Sequence, residues 1–186
     1  LTAHHDTQYN SPGAVDNASG VQALVVLAER FARQRPLLTL RFAVFGAEET
    51  IMLGSKHRAQ LLQETGTLSD ILAVINLDML ACNAPTWINL TQDALEFRVR
   101  VARAFERHGV FDRYGDVHWE TPPWPTSDHA PFAALGKPTL FISYRGQQYP
   151  HLHLPTDTVD QVDHGLMQLS VDFLYDIIAD LANERS

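Results

Sequence analysis

Near the start of the chain a histidine and an aspartate stand two residues apart, His4 and Asp6. The next candidate cation ligand is Asp16, inside Gly13-Ala14-Val15-Asp16-Asn17-Ala18-Ser19-Gly20. The adjacent pair Glu48-Glu49 follows, then Asp78, then a late segment holding His151, His153 and Asp157. Imidazole together with carboxylate suits zinc, and a ligand set without cysteine points to a catalytic rather than a structural ion. A catalytic zinc keeps three protein ligands and one open position, so ligands from five segments exceed what one ion needs. They suit two ions if one carboxylate is shared. Of two adjacent glutamates, one can bind metal while the other reaches a bound water. In His-x-Asp the carboxylate can hold the imidazole through its second ring nitrogen. Each feature alone is ordinary: His-x-Asp is usually a surface hydrogen bond, Glu-Glu a solvated dipeptide, and Gly-x-x-Asp-Asn a turn with a helix cap. Their order, and one shared location for all of them, would make a site.

That location depends on the elements between them. Val21, Leu24, Val25, Ala28 and Phe31 recur at helical spacing within 17–34, and Pro36 closes that helix. Residues 38–45 read as a strand ending at Gly46, and 51–64 as a helix. Residues 71–78 form a nearly continuous apolar run, the pattern of a strand buried on both faces. A short strand at 87–90, an amphipathic helix at 92–108, a strand at 138–144 and a helix at 161–182 complete the series. Strands alternating with helices predict an α/β three-layer sandwich, a mostly parallel central sheet with helices on both faces, formed by one domain over 1–186. In such sheets the ligand sits beyond the carboxyl ends of the strands. Glu48-Glu49, Asp78 and the His151–Asp157 segment each follow a predicted strand, and His4 follows the stub of one.

Composition narrows the function classes. The chain has 186 residues, 45% hydrophobic and 19% charged, enough to bury a core without disulfide or metal staples. Fourteen Lys and Arg against 22 Asp and Glu give a net charge of −8, which argues against nucleic acid as a partner. No run of about 18 apolar residues offers a membrane span. The single Cys82 forms no internal disulfide and says nothing about compartment. No secretory leader precedes His4, and localisation is left open.

The motifs resemble those of the dizinc aminopeptidases, metallopeptidase family 28. They are Ala3-His4-His5-Asp6, the Gly13–Gly20 segment, Gly46-Ala47-Glu48-Glu49 with Leu53-Gly54-Ser55, Asn76-Leu77-Asp78-Met79, Ser127-Asp128-His129-Ala130-Pro131-Phe132 and His153-Leu154-Pro155-Thr156-Asp157-Thr158. They occur in the family's order and cover nearly the whole chain. The resemblance implies two zinc ions per chain, with His4 and Asp78 on one, Glu49 and His153 on the other, and Asp16 bridging them. His153 is preferred over His151 because it stands four residues before Asp157, as the family's ligand does. Glu48 is implied as general base, Asp6 as the residue orienting His4, and a cis Asp16–Asn17 peptide is expected. Asp128 and His129 are implied to lie near the substrate or behind the metal ligands. The substrate would be a peptide with a free N-terminus.

Two features depart from that pattern. Only Leu1–Ala3 precede the first motif, where the family usually has further strands: either upstream sequence was removed or the sheet is smaller, and a smaller sheet would expose an edge suited to pairing with another chain or to coverage by a partner. No tyrosine lies between His118 and Pro138, so the group that stabilises the oxyanion is unassigned and Tyr149 is the nearest substitute. Trp124, in the aromatic, proline-stiffened stretch 119–125, is read as a pocket wall. Competing readings on the same scaffold are a single-zinc glutaminyl cyclase, a carboxypeptidase, for which Arg145 is the nearest cation, and a non-catalytic relative.

Overall fold

The computed structural model describes residues 1–82, 87–90, 94–114, 118–120, 127–144 and 149–183. Six strands form one sheet in the order β2-β1-β3-β6-β4-β5: β1 Thr2–His4, β2 Ala43–Phe45, β3 Val74–Leu77, β4 Trp87–Leu90, β5 His118–Glu120 and β6 Thr139–Ser143. Four of the five pairings are parallel, and β4 runs antiparallel to β6. The helices are α1 Gly20–Ala32, α2 Leu53–Glu64, α3 Leu95–Arg107, α4 Val110–Tyr114, α5 Ala130–Ala134 and α6 His164–Ala182.

The sheet divides two cores. Alternate residues of β3 and β6, Ile75 and Leu77 with Leu140 and Ile142, pack under α1, α3 and α6 through Leu24, Leu27, Phe97, Phe105, Phe173 and Ile177. On the other face Phe45 and Val74 meet Ala59 and Leu62 of α2 and Phe132 of α5. Every residue of β3 and β6 is buried, which explains why their sequences run almost continuously apolar rather than alternating.

Strand lengths follow their partners. The strand expected over 38–45 is paired only from Ala43, because β1 offers three residues, in register Thr2↔Ala43 to His4↔Phe45. The run 71–78 becomes strand at Val74, opposite Thr139 where β6 begins; before it a 3₁₀ turn spans Leu68–Asp70. The helix expected from residue 51 starts at Leu53, because Ile51 and Met52 both adopt φ near +58, outside the helical region. The last helix starts at His164 rather than 161, where the Asp163 side chain accepts the Leu166 N–H at 2.9 Å as its cap. With only the β4–β6 pairing antiparallel, the sheet is mostly parallel, as expected. No helix among the described residues is long and apolar enough to cross a membrane.

Candidate active site

Because β1, β2, β3 and β6 are parallel, their carboxyl ends lie on one edge, and the polar residues that follow each strand meet there. His4 closes β1. Its Nδ1 lies 3.1 Å from the Asp6 carbonyl oxygen. A carbonyl only accepts, so Nδ1 carries a proton and Nε2 is the nitrogen turned to the carboxylates, the one a cation would meet. Nε2 stands 3.3 Å from Asp16 Oδ1 and 3.3 Å from Asp78 Oδ1. The carboxylate of Asp6, expected to orient His4, lies 3.6 Å from Nδ1 and is engaged elsewhere. Its two oxygens accept the N–H groups of Glu48 at 3.0 Å and Glu49 at 3.1 Å, fixing the turn that carries both glutamates. The main-chain oxygen of Asp6 therefore sets the imidazole, and its side chain sets the glutamates.

A second cluster sits beside the first. His153 Nε2 is 3.2 Å from Asp16 Oδ2 and 3.3 Å from Glu49 Oε2. Each cluster, His4–Asp16–Asp78 and Asp16–Glu49–His153, has its ligand atoms within 4.8 Å of one another. Asp16 belongs to both and offers a different oxygen to each. His151, by contrast, turns its Nδ1 to the Thr156 hydroxyl at 2.9 Å.

Side chains behind the ligands hold them in place. The Ser127 hydroxyl donates to Asp78 Oδ2 at 2.7 Å; Ser127 in turn accepts from Asn76 Nδ2 at 2.8 Å, and Asn76 Oδ1 accepts from Thr2 at 2.8 Å. Gln8 Nε2 donates to Glu49 Oε2 at 3.0 Å. Asp16 lies in an irregular turn, Ala14–Ser19, whose Asp16–Asn17 peptide is cis. Asn17 ties that turn to the end of β3: its Nδ2 donates to the Leu77 carbonyl, and its Oδ1 accepts from Gly20 and Met79 N–H. Gly20 is required here, since a Cβ would meet Asn17 Oδ1 at 2.3 Å and the Leu77 carbonyl oxygen at 2.6 Å. Sequence reasoning gave Ser127, Asn76, Asn17 and Gln8 no role; the first three stood inside the quoted motifs, whereas Gln8 carried no signal.

Five further candidates lie outside both clusters or outside the described residues. Tyr149 does not line the cavity; it is 9% exposed and its hydroxyl donates to Asp157 at 2.7 Å. Asp128 and His129 are buried behind the cavity, with the His129 ring stacked on Phe141, which does line it. Burial pushes the Asp128 carboxyl up to about 6 and the His129 imidazole down to about 4. Trp124 and Arg145 lie outside the described residues.

The cavity is lined by Asp16, Glu48, Glu49 and Asp78, by His153, and by Met52, Met79, Phe141, Ser143 and Leu152. A second, more apolar cavity near Leu1 and the amino end of β3 is lined by Leu38, Leu40, Phe45, Leu62 and Phe132 among others; the described residues lining it include no carboxylate or imidazole side chain for acid–base or metal chemistry.

The donor set fits divalent ions. Glu49 Oε1 is buried and accepts no hydrogen bond among the described residues, a cost that a cation would remove. Four carboxylates face the cavity, and two divalent ions carry the matching charge. Without cations the crowding appears as displaced titrations. Burial opposes charge on His4, but hydrogen bonds to Asp16 and Asp78 outweigh it and push the imidazole up to about 12. Burial, then the charge of Asp78, pushes Glu48 up to about 8. Asp16 and Glu49 are also raised, burial being the largest cause for each.

These shifts predict a pH-dependent metal effect on stability. His4 stabilises the cation-free fold fully below about pH 6.5 and loses that contribution as pH rises toward 12. Glu48 binds a proton in the fold that the unfolded chain releases near 4.5, so its ionisation costs stability up to about pH 8. Ions bound at the clusters displace the His4 proton and by their charge favour the ionised form of Glu48, so metal affinity rises with pH. The increase in Tm on adding zinc to EDTA-treated protein is therefore expected to be larger at pH 8 than at pH 6.5. Differential scanning calorimetry would show this, and an equal or smaller increase at pH 8 would contradict it.

Residues 1–178 match peptidase family M28, and the chain belongs to that family. It is 26% identical over 178 residues to aminopeptidase YwaD of Bacillus subtilis, covering 94% of this chain and 39% of that protein. Among solved structures it resembles an aminopeptidase from Aneurinibacillus sp. strain AM-1, with TM-score 0.82 and 28% identity, covering all of this chain and 43% of that one. It also resembles BSAP, a zinc aminopeptidase from Bacillus subtilis, with TM-score 0.83 and 26% identity over 98% of this chain and 46% of that one. The chain thus spans less than half the length of each of these three.

Proposed function

We propose that the chain is a metal-dependent aminopeptidase that binds two zinc ions and removes the N-terminal residue from peptides. The observation that carries this reading is the pair of carboxylate–imidazole clusters sharing Asp16 beside a third acid, Glu48, that belongs to neither. His4, Asp78 and one oxygen of Asp16 would hold one ion; Glu49, His153 and the other oxygen of Asp16 would hold the second. The ions, when bound, supply Lewis-acid polarisation of the scissile carbonyl and acidify the attacking water.

The chain's residues do the rest. Glu48 accepts the proton of the water as it attacks the carbonyl carbon and returns it to the departing amine nitrogen. Asp6 keeps Glu48 aimed by holding its N–H at 3.0 Å. The apolar wall of Met52, Met79, Phe141 and Leu152 receives the side chain of the N-terminal residue and limits water around the reacting atoms. A single-zinc cyclase would need only one of the two clusters, so the second favours hydrolysis.

The test is a substrate pair. Leucyl p-nitroanilide is expected to be hydrolysed and its N-acetyl derivative to be left intact. Hydrolysis of the blocked compound with the free amine untouched would overturn the aminopeptidase assignment.

A further inference from the structure

The Asp157 carboxylate is wholly buried, and neither cluster includes it. Its Oδ1 accepts the Val15 N–H at 2.9 Å and the Tyr149 O–H at 2.7 Å, while its Oδ2 accepts the Asp16 N–H at 3.1 Å. Its own carbonyl accepts the Ala14 N–H at 3.2 Å. These bonds fasten the turn that carries the shared ligand, Asp16, to the segment that carries His153 four residues earlier. Charge-assisted bonds from a carboxylate to backbone N–H groups are among the stronger and more directional hydrogen bonds in proteins. His4 is set instead by the Asp6 carbonyl and Asp78 by the Ser127 hydroxyl.

We propose that Asp157 is a positioning residue for the second metal site, holding Asp16 and His153 at the mutual spacing that one ion requires. This rests on the two-ion reading given above. The asymmetry follows from what remains if the clamp is lost. In both clusters Asp16 stays tied to the end of β3 through Asn17. The first cluster also keeps His4 on β1 and Asp78 at the end of β3, both buried and held without Asp157. In the second, Glu49 is held through Gln8 and the Asp6-fixed turn, but His153 is 43% exposed and sits on the loosened segment with φ +59. Asp157 therefore controls the occupancy of one site rather than of both.

Asp157→Asn keeps the shape but must turn an NH₂ toward a backbone N–H, either at Asp16 or at Val15. Isothermal titration of EDTA-stripped protein with zinc, checked by bound-metal analysis after gel filtration, reads the two sites separately from activity. Wild type is expected to bind two ions. Asp157→Asn is expected to bind the first with unchanged affinity and the second about 10–100-fold more weakly, the usual effect of losing a group that orients a ligand. Asp157→Glu, which restores the charge at the cost of a longer side chain, should recover part of the second site. Tyr149→Phe, which leaves both backbone bonds intact, should stay close to wild type.

Two ions bound by Asp157→Asn with wild-type affinities would overturn the proposal. So would equal weakening of both ions, or a loss in Tyr149→Phe as large as that in Asp157→Asn, since either outcome assigns the effect to general packing. If Asp157→Asn does not fold, as judged by near-UV circular dichroism, Asp157→Glu decides alone: a selectively weakened second ion supports the proposal and two unaltered sites defeat it. Failure of both variants to fold makes Asp157 a folding residue and also defeats it. Fewer than two ions in wild type would instead remove the two-ion reading, and this inference with it.

Discussion

Replacing Glu48 with Gln is expected to lower kcat by about 10²–10⁴-fold, the range for loss of a general base, while both metal ions remain bound. The amide preserves the size of the side chain and its place on a turn whose N–H groups are held by Asp6, so substrate binding should change little. The loss should fall on kcat rather than on KM, as for a group that acts in the transition state. Glu48 suits the task because it faces the cavity but lies in neither cluster. Burial and the neighbouring Asp78 disfavour its ionised form, leaving it proton-hungry. Steady-state kinetics with metal analysis on the same preparation would check this. Near-normal kcat would remove Glu48 from the role, and loss of metal together with activity would make it a ligand instead.

A larger effect is expected from Asp16→Ala, because this residue is shared. Without it the clusters shrink to His4 with Asp78 and Glu49 with His153, two ligands each, where a catalytic zinc keeps three. Both ions should bind weakly enough to be lost on gel filtration. Activity should fall below that of Glu48→Gln, and the rise in Tm on adding zinc should disappear. This distinguishes the shared carboxylate from Asp157, whose loss is expected to weaken one site only. Retention of one tightly bound ion in Asp16→Ala would show that a cluster does not depend on it and would argue against bridging.

The polar residues after the strands were readable because a parallel sheet has a simple rule: whatever follows each strand meets the others at one edge. Buried strands such as β3 and β6 announce themselves as apolar runs, so Asp78 and the His153 segment fell at identifiable ends. What the sequence concealed depends on partners rather than on local pattern. The antiparallel course of β4 is decided by its pairing with β6, not by its four residues. The start of α2 is displaced by two left-handed residues, Ile51 and Met52, whose side chains favour no such conformation. Tyr149 lies four residues before His153 and invites a substrate role, yet burial of its ring sends the hydroxyl to Asp157. Asp128 and His129 share a motif with Ser127, whose hydroxyl meets the candidate ligand Asp78. For Asp6 the sequence pointed to the right neighbour through the wrong atoms: the carbonyl meets His4, and the carboxylate meets the Glu48 and Glu49 backbone.

The most direct test of the account is anomalous diffraction from crystals of the zinc-loaded protein, recorded above and below the zinc edge. Two peaks separated by about 3.5–4 Å are expected, one bounded by His4 Nε2, Asp78 and Asp16 Oδ1, the other by His153 Nε2, Glu49 and Asp16 Oδ2. A single peak, or two peaks of which either lacks Asp16, would contradict the shared-carboxylate site on which the proposed chemistry depends.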